Sequence, residues 1–248
     1  MGWFDLFPPQ PECLCCNARI IYSQINWICD KCLNKMCFNE DNVNLPEINI
    51  GNKPSFLQKI QETNKDLNLI DRILSPLIYR GLARDLIRDL KYNKNYKAAV
   101  PLAEIMVKFW VHKSDDFSTD VLLLPIPLSR RRLESRGFNQ AGAIARLIAD
   151  KLSLQFCDKI LLRCRETPPL YKLNSDERRD VLNGAFRVEK KLRSRLRNKV
   201  IVLIDDVVTT GSTLREAAGN LFAQGADKII ALTAAAVSKQ DNVSFPRI

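Results

Sequence analysis

The chain has 248 residues, 46% of them hydrophobic and 27% charged, with a formal net charge of +10 and an isoelectric point near 9.3. This length suits one good-sized core with a small accessory unit, and the positive balance fits an anionic partner, whether a phosphorylated metabolite or nucleic acid. No apolar run reaches the roughly 18 residues of a membrane span, and no basic segment followed by an apolar stretch opens the chain, so membrane insertion is excluded and a cytoplasmic protein is expected.

Six of the eight cysteines fall between Cys13 and Cys37. Cys13 and Cys16 form one C-x-x-C pair and Cys29 and Cys32 another, with twelve residues between the pairs. That spacing suits a four-thiolate zinc site, because each pair can turn its two sulfurs toward one ion. A disulfide framework or free thiols are the alternatives, the first disfavoured in a reducing compartment. Cys15 and Cys37 are spare thiols, each able to replace one of the four. Four thiolates leave no open position, so a zinc ion here is structural. Residues 1–38 are therefore expected to form a small zinc-ribbon-like unit held together by its metal.

Residues 39–76 are assigned to a linker or insertion, its part from Asn39 to Asn68 rich in Asn, Lys and Glu and punctuated by Pro46, Gly51 and Pro54. A larger domain is expected over 77–248. Leu82, Leu86 and Leu90 recur at helical spacing and predict a helix over Gly81–Tyr92. A second helix is predicted over Ala98–His112, with Leu102, Ile105, Met106 and Phe109 on one face. Val121–Leu124 reads as a core strand stopped by Pro125-Ile126-Pro127. The stretch from Pro125 to Ala141 then places Arg130, Arg131, Arg132 and Arg136 in a loop, with Gly137 and Asn139 at the start of a helix running to Leu152. These guanidiniums suit a pyrophosphate; a solvated basic loop is the alternative.

Leu161–Phe186 is polar and carries Pro168 and Pro169, which reads as a long excursion of the lid or binding-loop kind, with Lys172, Arg178 and Arg179 able to close over a ligand. Between Arg187 and Lys199 lie seven basic residues and one acid, Glu189. This run is either a nucleic-acid patch or a solvated connection. His112, the only histidine, shows no catalytic context, and Trp3, Trp27 and Trp110 read as packing residues.

The most informative stretch is VLIDDVVTTGST, Val202–Thr213. An apolar strand beginning at Val200 and predicted to end at Ile204 runs into Asp205 and Asp206, then a Thr-Thr-Gly-Ser-Thr turn, then a helix predicted over Leu214–Gln224. Backbone N–H groups of the turn and the hydroxyls of Thr209, Thr210, Ser212 and Thr213 can surround a phosphate, and Gly211 lets the backbone approach it closely. The dipole of the following helix adds positive charge there. The acid pair, at the carboxyl end of a parallel strand, can accept hydrogen bonds from a vicinal diol such as ribose O2 and O3. Helix capping needs one such residue, not two acids and four hydroxyls. A strand over Lys228–Ala234 completes a βαβ unit. The alternation predicts an α/β fold with a mostly parallel sheet covered on both faces.

This loop resembles the signature of the type I phosphoribosyltransferases, which hold phosphoribosyl pyrophosphate (PRPP). With the cysteine pairs, DLKYNKNYKAAVPLAEIM (Asp89–Met106), PIPLSRRRLESRGFNQA and RETPPLYKLNSDERRDVLNGAF, it resembles, in order, the ComF proteins of bacterial competence, also called GntX-like. The resemblance implies a zinc element joined to a phosphoribosyltransferase domain. It further implies that Asp205 and Asp206 bind the ribose hydroxyls and Thr209–Thr213 the 5′-phosphate. Arg130, Arg131 and Arg136 would attend the pyrophosphate, Arg136 with the two acids forming the catalytic group, and Mg²⁺ would accompany the PRPP. The family assists handling of single-stranded DNA in natural transformation, beside a helicase-like partner, and is also described as amidophosphoribosyltransferase-like. Two departures matter. The acid that 6-oxopurine enzymes carry at the position of Thr209 is absent, which disfavours purine salvage. Residue 2 is Gly, so no N-terminal cysteine nucleophile supports glutamine-dependent amidotransfer.

Overall fold

In the computed structural model the described residues are 11–39, 69–113, 120–166 and 181–237. The linker reading of 40–68, and Lys172, Arg178, Arg179 and Trp3, lie outside them.

Eight short strands and six helices carry the fold among these residues. Asp30–Leu33 (α1) is followed by Arg72–Leu74 (β1), Leu77–Ile78 (β2), Gly81–Tyr92 (α2) and Ala99–Lys113 (α3). Then come Val121–Pro125 (β3), Arg130–Arg136 (α4), Gln140–Leu152 (α5), Gln155–Phe156 (β4), Leu161–Arg163 (β5) and Phe186–Val188 (β6). Val200–Val208 (β7), Ser212–Phe222 (α6) and Lys228–Ala236 (β8) close the sequence. The six-stranded sheet runs β1-β8-β7-β3-β4 with β2 also on β8, and every pairing in it is parallel. β5 and β6 form a separate antiparallel pair.

The apolar strand runs make sense in this setting, since each central strand is covered twice. Leu123, Val202, Ile204, Ile230 and Leu232 face α2, α3 and α5 in one core. Their neighbours Leu122, Leu124, Ile201, Leu203, Ile229 and Ala231 face α6 and the β5–β6 pair in the other. The mostly parallel α/β architecture expected from the alternation is the one observed.

Three details differ from the sequence expectations. The arginine segment is not a loop: its residues are good helix formers, Arg130 and Glu134 pair at i,i+4 (2.8 Å), and Gly137 at φ +82° ends the turn of α4. Strand β7 does not stop at Ile204, because β8 continues beside it and pairs Val207 with Ala235 and Val208 with Ala236. The acid pair therefore lies within the strand. Arg72–Leu74, within the stretch 39–76 expected to be linker or insertion, is an edge strand whose Ile73 pairs with Ala231.

The cysteine unit docks on this domain. Its last residues run beside β2, with an Ile78 N–H donating to the Cys37 carbonyl (2.8 Å) and Asn39 N–H to that of Pro76 (2.8 Å). Ile25, Ile28 and Leu33 are buried in the same core as α3. Glu104 of α3, only 8% exposed, accepts from the Asn26 amide (2.8 Å), Asn26 Nδ2 (2.6 Å) and Lys151 Nζ (2.6 Å).

Candidate functional site

The loop after β7 is built by local rules. Gly211 adopts φ +75°, a left-handed conformation that favours glycine, and caps the start of α6. The Thr210 and Ser212 hydroxyls lie 2.8 Å apart, and Arg215 N–H donates to the Gly211 carbonyl (2.9 Å), so the turn closes onto the helix. Asp205, Val207, Val208 and residues 209–214 line one small pocket, and Thr209–Thr213 all belong to it. Thr209, Thr210, Ser212 and Thr213, the four hydroxyl residues of the turn, thus line the same pocket.

The two acids differ in environment. Asp206 is buried, and its Oδ1 lies 2.6 Å from Lys91 Nζ of α2. Its backbone N–H donates to Asp205 Oδ1 (2.8 Å). Burial, then the neighbouring Asp206 carboxylate, pushes Asp205 up to about 7, against the opposing pull of Lys91, the Asp206 amide and Arg163. Burial alone would lower the Lys91 ammonium; the two carboxylates outweigh it and raise it.

The arginines divide. β3 and β7 are parallel neighbours, so α4 begins beside the carboxyl end of β7, and Ile126 N–H donates to the Ile204 carbonyl (2.9 Å). Arg130 is 89% exposed and turned to Glu134, and Arg131 is exposed with its backbone N–H on Glu166 Oε1 (2.9 Å). Arg136 is half-buried, donates to Gln140 Oε1 (2.8 Å) and sits 5.7 Å over the Tyr92 ring. Arg132 and Arg163 are half-buried as well, Arg163 sitting 5.3 Å over the Phe186 ring and within electrostatic reach of Arg132. Burial lowers both guanidiniums, Arg163 to about 10; Arg136 adds to the fall of Arg132, and Arg132 to that of Arg163. Arg163 also faces Asp205.

Lys91 and Arg163 are thus site-facing cations that the sequence reading did not single out. Lys91 follows Leu90 in an amphipathic helix and Arg163 ends a two-leucine strand, and neither pattern marks a site. The described ends of the excursion form the β5–β6 pair, and on its return Gly184 N–H donates to Glu216 Oε1 of α6 (2.9 Å).

The cysteines form a second constellation. The Sγ atoms of Cys13, Cys16, Cys29 and Cys32 all lie within 4.8 Å of one another, with Cys16 and Cys29 3.6 Å apart. A tetrahedral Zn–S₄ centre with bonds of about 2.3 Å sets its sulfurs about 3.8 Å apart, so the four can hold one metal ion such as zinc. Cys15 and Cys37 stand outside the group, and all eight cysteines are free of disulfides. Burial works against ionisation of the Cys13 thiol, yet backbone hydrogen bonds from Cys29, Cys15 and Cys16 bring it down to about 6. Burial and the neighbouring sulfurs push Cys15 up to about 12. Burial and the neighbouring sulfurs also push Cys29 and Cys32 upward, so it is the geometry of the four sulfurs, not their acidity, that marks the group.

The basic run from Arg187 to Lys199 enters as β6 and continues as a 3₁₀ helix, Lys190–Leu196. Arg187, Lys190, Lys191, Arg193, Arg195 and Arg197 are exposed, while Lys199 is drawn 3.4 Å from Asp120. No helix among the described residues is long and apolar enough to cross a membrane.

A phosphoribosyl transferase domain profile matches residues 133–244, from α4 past β8. DNA utilization protein YhgH of Escherichia coli O157:H7 is 32% identical over 143 residues, 57% of this chain and 61% of that protein. The YhgH protein of Salmonella typhimurium is 30% identical over 157 residues, 62% of this chain and 67% of its own length. Competence protein ComFC of Bacillus subtilis is 28% identical over 173 residues, covering 65% and 62%. The matched stretch spans 61% to 67% of these relatives' own length. With its acid-pair loop, its cysteine cluster and these relatives, the chain belongs to the family of phosphoribosyl transferase-domain proteins that includes DNA utilization protein YhgH and competence protein ComFC.

Proposed function

We propose that this protein binds PRPP or a related phosphorylated sugar or nucleotide at the β7–α6 loop and uses that pocket in handling single-stranded DNA, as a competence-type factor with a structural zinc element. The observation that carries the reading is the juxtaposition of Asp205 and Asp206 with the hydroxyl-lined turn on one strand end. The carboxylates accept the ribose diol, the turn amides and hydroxyls take the 5′-phosphate, and the α6 dipole favours the anion. Mg²⁺, bound with the pyrophosphate, would neutralise charge there. The DNA role draws on the names of the relatives and on the exposed basic connection from Arg187 to Arg197, whose charges suit a phosphate backbone.

One observation favours a second reading, an active phosphoribosyltransferase. Arg163 lies within electrostatic reach of both Asp205 and Arg132, where positive charge would stabilise a departing pyrophosphate while the acids hold an oxocarbenium-like sugar. The acceptor would then be an amine or nucleobase.

Calorimetric titration of PRPP with Mg²⁺, pyrophosphate release with and without acceptors, and binding of a labelled single-stranded oligonucleotide separate the readings. Binding of PRPP and DNA without turnover is the expected result; turnover makes the protein an enzyme. The double variant Asp205→Asn, Asp206→Asn is expected to lose PRPP affinity by about 100-fold or more, since two charge-assisted contacts are worth roughly 1.5–3 kcal/mol each. Undiminished affinity in a folded variant would sink the loop assignment.

A further inference from the structure

Lys91 is unusual for a lysine in the last turn of an amphipathic helix. Such side chains normally carry their ammonium to water. Here the side chain is 16% exposed, its partner Asp206 is 11% exposed, and Nζ lies 2.6 Å from Asp206 Oδ1. The ion pair continues through the backbone, because Asp206 N–H donates to Asp205 Oδ1. Asp205 is faced by Asp206 on its own strand, by Lys91 of α2 and by Arg163 of β5. Lys91 is faced by both acids and by Tyr79, and Tyr79 also has Tyr92 and Arg88 within electrostatic reach.

We propose that Lys91 is a positioning residue of the sugar site, holding Asp206 in place and supplying the buried positive charge that lets two adjacent carboxylates receive a vicinal diol together. The proposal rests on the reading of the acid pair as the diol site. Neighbouring carboxylates of like charge tend to share a proton. A protonated acid keeps an acceptor oxygen but loses the charge assistance of a carboxylate, so one of the two sugar contacts is weakened. An ammonium against Asp206 favours the fully ionised pair. The ammonium also offsets part of the pair's negative charge, which suits a neutral diol.

The test uses the full-length protein with Lys91→Met, which removes the charge at similar length, Lys91→Gln as a polar second variant, and Lys91→Arg as the conservative one. Affinities for PRPP and for ribose 5-phosphate, which has the diol but no pyrophosphate, are compared with wild type at each pH from 7 to 9. Carboxyl ¹³C titration of Asp205 and Asp206 is followed without ligand. Removing the charge is expected to weaken both ligands by about tenfold or more at pH 7, as for one charge-assisted contact. The deficit should shrink toward pH 9 as the pair ionises, the carboxyl titration should move upward, and Lys91→Arg should restore most of the affinity. A deficit equal at every pH, or one confined to PRPP, would make Lys91 an ordinary scaffold residue or a pyrophosphate contact and overturn the proposal. If wild type binds neither ligand, the sugar reading falls. The carboxyl titration then still decides whether Lys91 governs the charge of the acid pair, and an unmoved titration overturns it.

Discussion

Asp205 and Asp206 are neighbours in sequence with different burdens. Asp206 has an ammonium at 2.6 Å, whereas Asp205 is raised to about 7 by burial and by Asp206. An ordinary aspartate in the unfolded chain titrates near 3.9. An acid raised in the fold contributes stability that is complete below the unfolded value and disappears as pH climbs through the folded one. Asp205 therefore costs the protein stability between about pH 4 and pH 7 and above. Asp205→Asn is expected to stabilise the fold at pH 8 by about 1–3 kcal/mol, with little change at pH 4, while impairing PRPP binding. Thermal melts at the two pH values read this directly; a variant less stable at pH 8 would mean that Asp205 makes contacts worth more than its burial costs. The grouping of the acid pair with the hydroxyl residues was legible in the sequence because they are contiguous, the acids near the end of β7 and the hydroxyls in the turn after it. Lys91 and Arg163 were not, because a cation in an amphipathic helix or on a short strand looks the same in sequence whether it meets solvent or a carboxylate.

At the scale of elements, the joint between the cysteine unit and α3 is the instructive case. Glu104 is a buried carboxylate among the otherwise apolar buried residues of its helix, and the ion pair with Lys151 of α5 together with docking of the unit explains it. Its burial would raise the carboxyl, but Lys151 and the two Asn26 donors prevail and hold it below the usual carboxylate range. A depressed acid contributes stability at neutral pH that is lost as pH falls through its folded value. Glu104→Ala is expected to cost about 1–2 kcal/mol at pH 7, since it removes the charge-assisted hydrogen bonds from Asn26 and Lys151, whose donors can then turn to water. Backbone amides from Ile25 to Ile28 should then exchange faster with solvent, and unchanged protection would show that apolar contacts alone seat the unit. Helix α4 teaches the converse. Its arginines looked like loop residues because charge suggested exposure, but exposure and helicity are compatible, and the i,i+4 pair with Glu134 supports the turn.

For the whole molecule, a small cysteine-rich unit and a parallel sheet share one core, with Ile25, Ile28 and Leu33 packed among α3 residues such as Phe109. Metal loss should therefore be felt beyond the unit. Cys29→Ser is expected to release one equivalent of zinc and to lower the melting temperature of the entire chain by several degrees, because the unit's short turns cannot hold their shape without it. Metal analysis beside a melting curve checks both, and unchanged metal content would refute the four-thiolate site.

The sequence by itself determined what local chemistry can encode. Apolar periodicity specified the helices and the twice-covered strands, the paired C-x-x-C spacing specified the cysteine turns, and the run from Val202 to Thr213 specified a strand, a turn and a helix start. The tertiary structure alone decided what depends on residues far apart in the chain. It brought Arg72–Leu74 into the sheet, let β8 carry β7 past the acids, set Lys91 and Arg163 against the pair, and turned Arg130 away from it. The physical reason is that an isolated charge has no preferred partner until burial raises the cost of leaving it unpaired, and burial is a property of the assembled fold.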